Sequence, residues 1–122
     1  MNTRSVGNKG EDIAATYLKK HGYIIVERNY NCRFGEIDII AKQNSYIVFV
    51  EVKARSSTAF GMPREAVDWR KQQTIVQCSK LWLTQNKLFG SAVRYDVVEV
   101  LNGEVTIIAD AFRVPEHIAK RR

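Results

Sequence analysis

Three residues near the middle of the chain have the types and spacing that phosphate chemistry requires. Asp38 precedes the triplet Glu51-Val52-Lys53. Two carboxylates suffice to hold a hard divalent cation such as Mg²⁺, which prefers oxygen ligands and keeps several of its waters. A lysine beside them can position a water molecule and stabilise charge that develops on a phosphate. The pattern predicts metal-assisted phosphodiester hydrolysis, and its alternative is a salt-bridge cluster of the same side chains at a sheet edge.

The triplet belongs to a predicted strand, Tyr46–Ala54, in which both faces begin with apolar residues. Such a strand is typical of the centre of a sheet that is covered on both sides. Side chains alternate between faces along a strand, so Glu51 and Lys53 follow Ile47 and Phe49 on one face. A buried carboxylate is costly unless it is paired, hydrogen-bonded or bound to a metal. Glu51 is therefore a candidate for a metal ligand or for a salt bridge.

The turn before this strand decides whether Asp38 can join Glu51. Strands Glu36–Lys42 and Tyr46–Ala54 form a predicted hairpin around Gln43-Asn44-Ser45. An even number of loop residues places Asp38 on the face of Glu51. A two-residue turn sets the two acids directly opposite each other, and a four-residue turn makes them diagonal neighbours. A three-residue loop would place them on opposite faces and remove the site.

Two residues on predicted helices extend the candidate site. Glu11 lies along the apolar side of a helix that spans about residues 6 to 21, although an acid near a helix start also has an ordinary role in the helix dipole. Lys71 lies four and seven residues before Ile75 and Cys78 and so prolongs the buried stripe of a second helix. Its alternative is a lysine whose ammonium group reaches solvent.

The remaining elements follow from periodicity and turn residues. We predict a strand at Tyr23–Arg28, a polar connection at Asn29–Phe34, a loop at Arg55–Gly61, a helix from Pro63 to about Gln85, and strands at Val93–Leu101 and Val105–Ala109 around the Asn102-Gly103 turn. The order α-β-β-β-α-β-β predicts an α/β fold in which helices flank one mixed central sheet. We expect a single domain over residues 1–122, with a short basic tail from about residue 115.

Composition limits the classes of function. The chain has 122 residues, of which 45% are hydrophobic, and a formal net charge of +6, which suits a polyanionic partner but is also common in small basic proteins. It has no apolar run of membrane-spanning length and no signal-peptide pattern at its start, so we expect a cytoplasmic protein without a membrane partner. Cys78 is expected in the core and Cys32 in a loop; a zinc site lacks ligands, and a disulfide is not favoured in a reducing cytosol.

Five motifs in order along the chain resemble those of the YraN family of small bacterial proteins. The motifs are Gly10-Glu11, Gly35-Glu36-Ile37-Asp38, Phe49-Val50-Glu51-Val52-Lys53-x-Arg55, Phe60-Gly61-x-Pro63 and Arg94-Tyr95-Asp96-Val97-Val98. The resemblance covers nearly the whole chain. That family is in turn similar to the PD-(D/E)xK nuclease superfamily, and most closely to archaeal Holliday-junction resolvases.

This resemblance implies a restriction-endonuclease-like fold and a role for each site residue. Asp38 and Glu51 would bind the metal, Lys53 would be the catalytic lysine, and Glu11 would match the acid on the first helix of the resolvases. The backbone carbonyl of Val52 would be a further metal ligand. The cofactor implied is Mg²⁺ or Mn²⁺. Resolvase-like relatives also suggest a homodimer, because cutting two strands symmetrically needs two sites.

We therefore expect a Mg²⁺-dependent endonuclease that acts on DNA, with branched or otherwise structured DNA as a candidate substrate. Contacts to the DNA backbone are expected from Arg55 and Arg64, at the ends of a loop, and from Lys71. The loop can equally be a plain surface loop. Glu36 shares the face of Asp38 and receives no firm role. The alternatives are a non-catalytic nucleic-acid-binding module that keeps the fold and, third, a protein-interaction adaptor with a structural salt-bridge cluster.

Overall fold

The computed structural model describes residues 3–55 and 67–114 and confirms the predicted order of elements. The helices are α1 (Thr3–Lys20) and α2 (Trp69–Gln85), and the strands are β1 (Ile24–Cys32), β2 (Gly35–Gln43), β3 (Tyr46–Arg55), β4 (Val93–Leu101) and β5 (Glu104–Phe112). Neither helix in these ranges is long and apolar enough to cross a membrane.

The five strands form one mixed sheet in the order β1-β2-β3-β4-β5. β3 and β4 are parallel and are joined through α2, whereas every other neighbouring pair is antiparallel. β3 is the central strand, and its residues Ile47, Val48, Phe49, Val50 and Glu51 are all buried. The predicted mixed sheet with flanking helices is therefore confirmed, and the Glu-x-Lys triplet lies at the end of its most buried strand.

Each face of the sheet packs against one helix. The apolar cluster between α1 and the sheet, on what is called here the α1 face, contains Ala14, Ala15, Leu18, Tyr23, Ile39, Ala41, Val48, Val50, Val98 and Val100. The α2 face is formed by Tyr30, Ile37, Ile40, Ile47, Phe49, Val67, Ile75, Val76, Cys78, Trp82, Leu83, Tyr95 and Val97. Because odd and even positions of β3 divide between the two faces, burial on both sides explains why this strand is apolar throughout its first half.

Two glycines allow helices to approach strands closely at the end of the sheet where β3 ends. A Cβ atom at Gly10 of α1 would lie 2.6 Å from the Cβ of Ala54, so only glycine fits there without displacing the helix. Gly35 has a φ of +145°, and a Cβ at this position would lie 2.6 Å from Cγ2 of Thr74 in α2. These contacts set how closely α1, which carries Glu11, approaches β3, and how closely α2 approaches the start of β2.

The predicted connection at Asn29–Phe34 is wrong in its first part, because β1 continues to Cys32. Asn29 has a φ of 54°, and the register of β1 against β2 shifts between Ile25 and Glu27, so the alternation that marks a strand is interrupted. Beyond the shift, Tyr30 pairs with Ile37 and is buried. The second half of β1 is rich in polar residues, as is common in edge strands, so its sequence does not show the apolar alternation that predicts a strand.

The start of α2 also differs from the prediction. The helix begins at Trp69, not at Pro63, and Asp68 is its N-cap, with a side-chain oxygen that accepts a hydrogen bond from the N–H of Lys71 (2.9 Å). An aspartate at the N-cap satisfies a backbone donor that the helix leaves unpaired. Pro63, the predicted loop after Arg55 and the basic tail from residue 115 lie outside the described residues.

Candidate functional site

The β2–β3 hairpin has the two-residue turn that brings Asp38 and Glu51 together. Gln43 pairs with Tyr46 across Asn44-Ser45, and the antiparallel register continues to the pair Ile39 and Val50. Extended by one residue, this register sets Asp38 opposite Glu51. Asn44 has a φ of 53°, a conformation that asparagine adopts more readily than most residues. The turn chemistry therefore fixes the parity on which the site depends.

Asp38 lies where the ladder between β2 and β3 stops. Ile37 packs on the α2 face and Ile39 on the α1 face, so regular alternation breaks between them. The N–H of Val52 donates to Oδ2 of Asp38 (2.8 Å) instead of to a backbone carbonyl of β2. This bond holds the carboxylate against the end of β3. The contact between Val52 and Asp38 is through the N–H; the carbonyl of Val52 remains a predicted ligand.

The carboxyl groups of Asp38 and Glu51 influence each other electrostatically. Burial and the negative charge of Glu51 together raise the pKa of Asp38 from 3.8 to about 7, although the hydrogen bond from the N–H of Val52 opposes the shift. Glu51 itself is buried. At neutral pH such a pair is balanced between holding a proton and losing it, and a cation between the carboxylates would take the proton's place.

Two lysines neutralise Glu51 from different elements. Nζ of Lys53 lies 3.9 Å from one carboxylate oxygen, and Nζ of Lys71 lies 3.6 Å from the other. Both lysine side chains are about one-third exposed, whereas that of Glu51 is 7% exposed. The ammonium groups therefore stand between the buried acid and solvent. The structure places Lys71 of α2 beside the predicted acid pair, a position that its helical spacing suggested only in part.

Glu11 reaches the same end of the sheet but has a cationic partner of its own. It is 6% exposed, as the helical pattern predicts, and its Oε1 accepts a hydrogen bond from Nε of Arg28 (3.0 Å). Arg28 also contacts Asp12 (2.6 Å). Burial raises the pKa of Glu11, the bond from Arg28 lowers it, and the charge of Asp38 raises it, so the two acids are electrostatic neighbours. Sequence reasoning missed Arg28, because nothing in the polar pattern of β1 links it to α1.

The acids suit a hard cation in chemistry but do not form a closed cage. Within residues 3–55 and 67–114, no three His, Cys, Asp or Glu side chains converge on one metal-binding point. Asp38 and Glu51 form a pair, and Glu11 is turned to Arg28. A donor set made only of oxygen, open to solvent on one side, is compatible with Mg²⁺ or Mn²⁺, which retain waters and need only one or two carboxylates.

The other predicted contact residues are placed differently. NH2 of Arg55 lies 2.7 Å from Oε2 of Glu99, so the two residues form an ion pair, although the two groups are not aligned for a hydrogen bond. The side chain of Arg55 is only 12% exposed. It therefore offers little surface to a ligand in this conformation. Arg64 lies outside the described residues. Glu36 is exposed, and its charge contributes to the raised pKa values of Asp38 and Glu11.

The motif Arg94-Tyr95-Asp96 forms a second buried acidic site, on the α1 face. Asp96 is 1% exposed and accepts hydrogen bonds from Nε of Arg94 to Oδ1 (2.9 Å) and from NH2 to Oδ2 (2.8 Å). The hydroxyl of Tyr23 donates to Oδ2 (2.7 Å), and the N–H of Asp110 donates to Oδ1 (2.9 Å). Both oxygens are satisfied and the charge is paired, so this motif is structural.

Comparisons with known proteins agree with the resemblance seen in the motifs. Residues 10–100 match the family described as "Uncharacterised protein family UPF0102". A UPF0102 protein of Clostridium perfringens is 45% identical over 117 residues, which cover 91% of this chain and 96% of the relative. One from Caldanaerobacter subterraneus subsp. tengcongensis is 49% identical over 105 residues (85% and 86%), and one from Persephonella marina is 42% identical over 106 residues (87% and 91%).

Proposed function

This chain belongs to the UPF0102 family, which is the YraN family that its motifs resemble. Because the family name assigns no activity, we propose a function from the site. We propose that the protein is a divalent-cation-dependent endonuclease that hydrolyses phosphodiester bonds in DNA. The observation that carries the proposal is the pair formed by Asp38 and Glu51. Two interacting carboxylates at the end of a buried strand, one with its pKa raised to about 7, are electrostatically unfavourable unless a cation or a proton lies between them.

The residues of the chain divide into three roles in this proposal. Asp38 and Glu51 would hold Mg²⁺ or Mn²⁺, with the bond from the N–H of Val52 keeping Asp38 in place. When bound, the cation would supply Lewis acidity that polarises the scissile phosphate. Lys53 would move away from Glu51. It would then position a water molecule and stabilise negative charge on the phosphate oxygens. Glu11 would complete the ligand set once Arg28 turns from it.

Several features support a nucleic-acid substrate. The net charge of +6 favours a polyanion, and Lys53 and Lys71 present ammonium groups at the solvent side of the acid pair. In a phosphodiester complex Lys71 would contact a phosphate next to the scissile bond. We propose branched or otherwise structured DNA as the preferred form and a homodimer as the active assembly, since symmetric cleavage of two strands needs two sites.

A non-catalytic nucleic-acid-binding module is the second candidate, and one observation favours it. Both oxygens of Glu51 have a lysine nearby, and Glu11 is paired with Arg28, so much of the negative charge is already neutralised by the protein. In this alternative the same lysines bind phosphates, whereas the acids only hold the lysines in position. The two candidate functions differ in whether the protein cleaves DNA when a divalent cation is present.

Cleavage assays with Mg²⁺ and Mn²⁺ on linear, nicked and four-way branched DNA test the proposal. We expect cleavage that EDTA abolishes, a loss of at least about a hundredfold in Asp38→Asn and Glu51→Gln, and a similar loss in Lys53→Met. Glu104→Gln, which removes an exposed carboxylate at the start of β5, is the matched control and should cleave as the original protein does.

Binding measured on the same variants separates the two candidates. If no DNA is cut under any condition and Asp38→Asn binds DNA as tightly as the original protein, the enzyme proposal fails and the binding module stands. If Lys71→Met and Lys53→Met also bind normally at low salt, nucleic acid is not the partner of this surface.

A further inference from the structure

Two cysteines far apart in the sequence have adjacent sulfur atoms. Cys32 is the last residue of β1, and Cys78 lies in the middle of α2. Their Sγ atoms are 3.2 Å apart, and both residues are free thiols in this structure. Cys78 is fully buried, whereas Cys32 is only partly buried. The sequence placed Cys32 in a loop, and the extension of β1 is what carries it to the helix.

The backbone around the thiols explains why they meet. Gly35 lies just beyond the turn that ends β1, and a Cβ there would be 2.6 Å from Thr74 and 4.0 Å from Sγ of Cys78. The absence of a side chain at Gly35 lets α2 rest directly on this turn. The sulfur contact therefore accompanies the close packing of α2 against the turn between β1 and β2.

We propose that Cys32 and Cys78 are a redox pair that closes reversibly to a disulfide. The oxidant is a low-molecular-weight disulfide. The thiolate of Cys32 attacks it, forms a mixed disulfide and releases one small thiol. Sγ of Cys78 then attacks Sγ of Cys32, forms the intramolecular bond and releases the second small thiol. The protein loses two electrons and two protons, and the oxidant is reduced to two thiols.

The different exposure of the thiols sets this order of attack. Cys32 reaches solvent, so a small oxidant can contact it. Burial and the neighbouring thiol raise the pKa of Cys78 to about 12, so Cys78 is not the thiol that attacks the oxidant first. A disulfide requires the sulfurs to approach to about 2.05 Å. From 3.2 Å this needs only a small rotation or shift of α2.

The disulfide would connect two elements that lie beside Asp38 and Glu51, namely the turn between β1 and β2 and the helix α2. The turn after Cys32 leads directly into the segment Gly35–Asp38, and α2 carries Lys71 two turns before Cys78. Closing the bond would tie this part of α2 to the turn, and so would restrict how far Lys71 can move from Glu51, now 3.6 Å away. The pair is independent of the proposed nuclease activity, because its chemistry needs neither a cation nor DNA.

Oxidation of the full-length protein with oxidised glutathione tests the proposal. We expect a mass lower by two hydrogen atoms, one peptide crosslink between Cys32 and Cys78, complete reversal by dithiothreitol, and a urea midpoint shifted upward in the oxidised form. Cys32→Ser should show none of these changes. Cys78→Ala should stop at a stable mixed disulfide on Cys32, which shows that Cys78 is the resolving thiol.

Three results would overturn the inference. One is a mixed disulfide that persists on Cys32 in the original protein while Cys78 stays reduced. Another is a crosslink between molecules in place of the internal bond. The third is an oxidised form that dithiothreitol does not return to the reduced mass. Cys32→Ser changes a partly exposed side chain, so its folding is expected to be intact and keeps the comparison interpretable.

Discussion

Two acidic sites in the described part of the chain, around Asp96 and around Asp38, meet the same physical problem in opposite ways. Asp96 on the α1 face is enclosed by Arg94, Tyr23 and a backbone N–H, which satisfy both of its oxygens. Asp38 faces another carboxyl group and has one backbone donor. The parallel register places Asp96 beside Val50 and Val97 beside Glu51, so the two sites are one residue apart along the central strands and on opposite faces of the sheet.

This difference separates structural acids from candidate reactive ones. An acid whose charge is paired by a bidentate guanidinium serves the fold, because its interactions are complete in the free protein. An acid held against another acid is completed only by something from outside, a proton or a cation. The motif around Asp96 and the motif around Asp38 are equally visible in the sequence, but only their partners tell them apart.

Removal of Arg94 should have the largest effect on stability. Arg94→Met leaves Asp96 buried and without its guanidinium partner, so we expect the free energy of unfolding to fall by about 3–5 kcal/mol. Urea denaturation at pH 7 measures it. A loss below about 1 kcal/mol would mean that water or Tyr23 compensates, and the contrast between the two sites would then be weaker than the contacts indicate.

A divalent cation should stabilise the protein through the Asp38 site alone. At a Mg²⁺ or Mn²⁺ concentration about a hundredfold above its Kd, the free energy of unfolding should rise by about 2–3 kcal/mol. Asp38→Asn should lose this gain, whereas Asp110→Asn should keep it. Thermal unfolding with and without EDTA provides the measurement. An equal gain in Asp38→Asn would place the cation elsewhere on the molecule.

The contribution of Asp38 to the stability of the metal-free protein should fall as pH rises from about 4 to about 7. The pKa of Asp38 is raised from 3.8 to about 7 by folding, so the folded state keeps a proton that the unfolded chain has already lost. The stability that this proton provides is present below pH 4 and is lost above pH 7. Asp38→Asn should therefore raise the free energy of unfolding at pH 8 by roughly 1–3 kcal/mol.

A flat profile would contradict that expectation. If stability in EDTA is the same at pH 5 and pH 8 after subtraction of the Asp38→Asn profile, Asp38 is not protonated in the folded state. Lys53 and Lys71 would then neutralise the pair sufficiently, and the case for an external cation would be weakened.

The exposed ion pair between Arg113 and Asp110 should have the smallest effect. Its atoms are 2.6 Å apart, as close as any buried pair in the described residues, but the arginine side chain is 83% exposed. Water and salt screen such a pair. Arg113→Gln should leave the urea midpoint unchanged within error. A measurable loss would show that short distance, and not burial, distinguishes the Asp96 site.

The sequence predicted the frame of the site because its signals are local. Hairpin parity depends on two turn residues, and the burial of Glu11 follows from helical spacing. The order of elements and the mixed sheet follow from periodicity and are confirmed. The second half of β1 was missed because a left-handed Asn29 and a register shift interrupt the alternation.

Contacts between distant segments could not be predicted in the same way. The pairs formed by Arg28 with Glu11, Arg55 with Glu99 and Cys32 with Cys78 each join separate elements, and no periodicity or turn residue marks them. Arg55 is an example. A basic residue at the end of a strand suggests a phosphate contact, but only the structure shows that Arg55 is buried against Glu99.

The contact between Gly10 and Ala54 makes the geometry of the site adjustable by size alone. Glu11 follows Gly10 in α1, so any methyl group added at Gly10 lifts the acid away from β3, whereas Ala54→Gly creates room for it. A Gly10→Ala, Ala54→Gly double variant exchanges the methyl group between helix and strand at nearly constant volume. Such a series would reposition one carboxylate by fractions of an ångström without changing any charge, and so measure how strictly cation binding depends on distance.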